Sequence, residues 1–263
     1  MTTPSASPST SILGGIAAIL SAIAWPLVVS AFLIAYRGSI SRILRILARK
    51  VSRATHIKAA GVELSENIIE QRIHDVPTAP EKVGVPAAQV AGARKLQEEL
   101  QSAGIDKSDV ALAAKNQIRE LALEYSRVRS SMTPGSARTA QLDRIVARMR
   151  TLSLLAIPIL PTLTRSKEPG ERLAAIAALQ VQPDARYSQW LLERMSTEQP
   201  FIFFHAALAL RQLVYKGSGF DKDELEPQVR AALETVMNFT GGPPDQNTIE
   251  VLEDTLHNLQ LIG

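Results

Sequence analysis

A chain of 263 residues, 46% hydrophobic and 21% charged, is long and apolar enough to bury one or two cores, which excludes a disordered chain. It contains no cysteine, which excludes disulfides, thiolate metal sites and a cysteine nucleophile. Of its 29 cations, seven lie in residues 1–62, which hold no acid; the other 22 face all 26 acids, so the high pI describes one short segment and no nucleic-acid partner is expected.

Aromatic residues are only 5%, and alanine and leucine dominate, so the composition predicts an all-α chain. After a polar tail over residues 1–11, Ile12–Ala35 runs 24 residues without a charge. At ~1.5 Å per residue such a helix reaches roughly 36 Å, enough for a ~30 Å hydrocarbon core. A buried soluble helix seldom stays apolar on every face for this length. A cleaved signal peptide has cations ahead of the apolar run, and here none precede it. Residues 12–36 therefore read as an uncleaved transmembrane helix. Tyr36 stands at its inner interface, and Pro26 kinks it at mid-span. Gly14, Ala18 and Ala22 form a small-residue ridge, which packs two spans into a homo-oligomer or arises by chance in an alanine-rich helix.

All the nearby cations follow the span, which predicts an outside N-terminus and a cytoplasmic C-terminal part at the inner membrane. Residues 37–74 form a basic juxtamembrane segment. Ile40, Ile43, Leu44, Leu47 and Val51 share one helical face, with cations on the other. Arg37, Arg42, Arg45, Arg49, Lys50 and Arg53 are expected to contact anionic lipid, the alternative being packing on the soluble domain. Ile57–Glu66 resembles a juxtamembrane stretch that follows anchors in bacterial membrane proteins. Gly61 is expected to turn the chain and Ser65 to cap a helix over Asn67–Ile73. Three prolines and two glycines between Asp75 and Ala93 predict a linker, with the compact domain starting near Arg94 and running to residue 263.

Consecutive helices are predicted from there. A short one over Arg94–Ala103 stops at Gly104, and the next is capped by Asp106 or Ser108 and runs to about Arg129. After a turn at Met132–Ala137, a helix from Thr139 to about Leu155 is expected to kink at Pro158 and Pro161. Pro169–Val181 and Pro200–Leu213 form a weak repeat. Both begin with proline, and their pairs Ala174-Ala175 and Ala206-Ala207 lie 32 residues apart, with a helix over Pro183–Met195 between them. Helix pairs at this period suggest a solenoid. Helices over Glu224–Asn238 and Thr248–Leu261 close the array around the joint Gly241–Pro244.

The stretch Tyr125–Leu213 carries Ser166, Gly170–Gln180, Pro183-Asp184, Trp190-Leu191, Glu193-Arg194, Glu198, Pro200-Phe201 and Ala206–Leu210. On this pattern, covering about a third of the chain, it resembles bacterial membrane-anchored proteins with a HEAT-like all-helical cytoplasmic domain. The resemblance implies protein binding and carries no activity.

Motifs for chemistry are sparse. His56, His74, His205 and His257 have no partner at i+3 or i+4, and no phosphate loop, dinucleotide fingerprint or nucleophile elbow occurs. The acids Asp221, Asp223, Glu224 and Glu226 suit a helix N-terminus. No cofactor or metal is expected. A candidate interaction groove gathers Glu171, Arg172, Asp184, Trp190, Arg194 and His205. In the alternative, Arg172 and Arg194 pair with neighbouring acids and orient the helices, and His205 is a core residue. The leading expectation is a membrane-tethered scaffold for a protein partner. A membrane-acting effector or sensor that controls oligomerisation of the span is the second. An enzyme is the third, and it would need a pocket joining His205, Glu171 or Glu198 and an arginine.

Overall fold

The computed structural model describes residues 60–74, 84–217, 219–243 and 245–262, and every regular element among them is helical. The expected span, its Gly14/Ala18/Ala22 ridge and the lipid-contacting cations Arg37–Arg53 lie outside the described residues. Among the described residues no single helix is long and apolar enough to cross a membrane. One bent pair, Ser136–Thr151 with Ser153–Leu163 at 65°, meets the criterion by length and composition.

Residues 58–263 form one compact unit. Its first helix, α1 (residues 60–74), already includes Gly61 and Ser65, which corrects the expected turn and cap. The Ser65 hydroxyl donates back to the Gly61 carbonyl at 2.8 Å, inside the helix. Gly61 sits against Asp109: a Cβ there would stand 2.7 Å from that carboxylate, a contact that rotation of the aspartate side chain would relieve. Ile69 and Ile73 enter the core, and Arg72 pairs with Glu99 of α2 (Ala87–Ser102). That second helix starts seven residues before the expected domain boundary at Arg94. Pro86 occupies the position just ahead of it, where its missing N–H costs nothing. Gly92 lies inside the helix with open space around it.

Helix α3 (Lys107–Ser131) begins where Asp106 accepts from the Ser108 N–H at 2.7 Å. Helix α4 (Ser136–Thr151) puts Leu142, Ile145, Val146 and Met149 inward. The bend after it comes at Leu152, six residues ahead of Pro158, and is followed by α5 (Ser153–Ala156), a 3-10 turn over Ile157–Ile159 and α6 (Leu160–Leu163). Neither proline can donate to the carbonyl four residues back, so the chain runs here as single turns, although Ile157 and Leu160 just ahead of them keep helical backbone at φ −52°.

Helix α7 (Pro169–Val181) is the most enclosed element, with every residue from Leu173 to Gln180 buried among α3, α4, α5 and α9. Alanines at positions 174, 175, 177 and 178 keep it slim enough for that. Gly170 lets it touch α3, since a Cβ there would come within 2.6 Å of the Ala122 backbone. Helix α8 (Ser188–Thr197) leads to α9 (Pro200–Lys216), which packs on α7 and ends at Gly217 in the left-handed region, φ 66°. Ala206 and Ala207 are buried, like their counterparts Ala174 and Ala175, so the repeat written in the sequence occupies two neighbouring core helices. Helices α10 (Lys222–Met237) and α11 (Gln246–Leu261) pack on each other and on α8 and α9, completing a helical-repeat-like unit.

Candidate interaction site

The expected groove residues divide among separate settings. Arg172, in the first turn of α7, and Arg194, near the end of α8, both pair with Glu198. The Arg194–Glu198 contact is 3.5 Å, and the Glu198 side chain is only 4% exposed. Arg172 also donates to the Ser166 carbonyl at 2.9 Å, and Arg194 to the Trp190 carbonyl at 3.1 Å. The Arg194 guanidinium lies 4.9 Å from the Trp190 ring centre, and the indole N–H donates to the Thr164 carbonyl at 3.0 Å. One buried carboxylate thus ties the start of α7, the end of α8 and the loop after α6. Burial pushes the phenol of Tyr125 up to about 12, with the Glu198 charge adding to the shift. The Tyr125 ring is 6.3 Å from that of Phe201.

Asp184 belongs elsewhere. It caps the short turn at Ala185–Tyr187 and grips Arg186, whose guanidinium holds the carboxyl below its usual range. Glu171 is half-buried beside a shallow depression with Pro161, Thr162, Arg165 and Ser166.

His205 is wholly buried on α9 and joins a polar cluster that sequence reasoning missed. Arg150, at the end of α4, donates from Nε to Gln180 Oε1 at 2.6 Å and from Nη1 to Gln89 Oε1 at 3.0 Å. Its Nη2 stands 3.4 Å from His205 Nδ1, which therefore accepts and leaves the ring proton on Nε2. The Gln180 amide donates to the His205 carbonyl at 2.7 Å. Four helices, α2, α4, α7 and α9, each contribute one buried polar side chain. Burial lowers the arginine to about 9, which still leaves it charged at neutral pH. Burial, aided by the Arg150 charge, drives His205 well below its usual value, so the imidazole is neutral.

Both sets hold helices together. An apolar groove of about 340 Å³ lies elsewhere, where Ile105 and Val110 face Leu154 and Ile157 across the helix break. Among the described residues no three His, Asp or Glu side chains converge as a metal site. The chain matches no protein family, and no curated protein or solved structure is significantly similar to it.

Proposed function

We propose that this chain is a membrane-tethered helical scaffold that recruits or positions a protein partner at the cytoplasmic face of the inner membrane. The observation that carries this reading is the uncharged run Ile12–Ala35, followed at once by Arg37, Arg42, Arg45, Arg49, Lys50 and Arg53. Those cations contact anionic lipid headgroups. The helical unit supports a binding role through its core repeat, which follows the likeness to HEAT-like arrays that bind proteins. The Gly14/Ala18/Ala22 ridge extends the reading to pairing of the spans.

Membrane fractions from cells expressing the full chain with a C-terminal tag provide the test. The chain is expected to stay with the pellet through alkaline carbonate, with its tag shielded from protease added to intact cells and a cross-linked dimer in the same membranes. Release by carbonate, or loss of the tag in intact cells, removes the tethered reading; monomer alone removes the pairing.

A further inference from the structure

Helix α3 carries an outward face that none of its packing explains. Leu112 and Leu123 are 49% and 50% exposed. They stand eleven residues apart, three turns along one line of the helix, about 16 Å from each other. Lys115, Arg119 and Arg127 are exposed around them, and Glu120 is the one exposed acid on the described helix. No ion pair engages these three cations among the described residues. Helix α1 runs alongside: Gly61 abuts Asp109, and the Asn116 amide donates to Glu66 at 2.9 Å.

Helix α3 itself holds five cations and three acids, while α1 beside it holds one cation and three acids, so the cationic character belongs to the outward face of α3 alone. Residues 221–262, covering α10 and α11, hold nine acids and two cations. An anionic plane attracts the α3 face and repels this acidic region, which orients the unit.

We propose that the outward face of α3, bearing Leu112 and Leu123 among Lys115, Arg119 and Arg127, rests on the anionic lipid surface. The inference deepens the tethered-scaffold reading and rests on it. A bilayer interface matches this pattern: it accepts isolated leucines spaced along a convex helix, and it meets long cationic side chains without demanding fixed geometry. A protein partner would be matched instead by a concave anchor pocket or a clustered apolar patch.

The absence of native cysteine makes the test direct. Leu112→Cys, Leu123→Cys and Glu253→Cys are each labelled with an environment-sensitive fluorophore in the full-length chain. Each is reconstituted in phosphatidylcholine vesicles with and without phosphatidylglycerol, and headgroup-nitroxide lipid serves as quencher. With phosphatidylglycerol, quenching at positions 112 and 123 is expected to exceed that at 253 by about threefold. Charge reversal of Lys115, Arg119 and Arg127 to Glu returns it to the 253 level, with unchanged circular dichroism. Vesicle-bound chain with equal quenching at all three positions overturns the inference and leaves the tether intact, as does quenching indifferent to phosphatidylglycerol. A chain that fails to float with vesicles overturns both.

Discussion

Arginine is used in two ways in this helical unit, and the contrast between them shows what each region is for. At the rim, Arg172 and Arg194 share the Glu198 carboxylate with part of each guanidinium still reached by water, their side chains 16% and 13% exposed. In the interior, Arg150 has no exposed surface and is held by Gln180, Gln89 and His205, one from each of three other helices. A guanidinium in a low-dielectric interior is costly unless its donors are met, so the geometry of the interior set is demanding. It permits one register of α2, α4, α7 and α9. The rim is tolerant by comparison: its partners lie on a loop and on helix ends, and water screens the residual charge. The interior set specifies how the helices fit, and the rim set fastens the α6–α7 and α8–α9 junctions.

The largest effect is expected inside. Arg150→Ala removes three helix-to-helix links and leaves two glutamine side chains facing a cavity, at a cost of about 3–5 kcal/mol in urea unfolding. A loss below about 1 kcal/mol would mean that the cluster is a passenger and the comparison is empty. Combining Arg150→Met with Gln89→Leu, Gln180→Leu and His205→Phe sharpens the point: with the whole network made apolar, much of the stability should return. At the rim, Glu198→Ala leaves two arginines clustered without their shared anion and should cost about 2–3 kcal/mol. Added salt should recover part of that loss but none of the loss from Arg150→Ala, because only the rim charges remain in reach of ions. Equal salt rescue of both variants would erase the distinction.

Much of the fold was legible because its signals are local. Asp106 as a cap and Pro169 and Pro200 as helix openings each act within a turn, and each is found where its chemistry calls for it. The repeat was legible too, since alanine pairs 32 residues apart report tight packing on one face. What failed to show was long-range. Prolines before Ala87 masked a helix whose inward residues, Gln89, Ala93, Leu96 and Leu100, follow ordinary helical spacing. Of the proposed groove, Arg172, Trp190 and Arg194 are brought together, while Asp184 and His205 answer to different partners. Arg150 left one trace: it follows Leu142 and Val146 at four-residue steps, so it continues the inward stripe of α4. A charged residue there reads as an interruption of the stripe unless buried partners from α2, α7 and α9 are known, and those lie 30 or more residues away in sequence.

The interior set also separates from the rim by pH. His205 is held neutral in the fold by burial and by the Arg150 charge, so its folded pKa lies below the unfolded value of about 6.5. Above that value neither state binds the proton and the full stability is present. As pH falls below it, the unfolded chain takes up a proton that the folded chain refuses, and stability drops by up to about 1.4 kcal/mol per pH unit. Asp143, half-buried on α4, acts in the opposite sense. Burial raises its carboxyl to about 6, so between its unfolded value and about pH 6 the folded state keeps a proton that the unfolded state loses. That contribution grows as pH falls and offsets part of the His205 loss. Chemical denaturation followed from pH 7 to pH 5 should therefore show a shallow decline in the parent chain. Asp143→Asn should steepen it, and His205→Gln should flatten or reverse it, because the glutamine cannot titrate and the Asp143 contribution then stands alone. Parallel slopes in all three proteins would show that neither buried group changes its protonation between the folded and unfolded states.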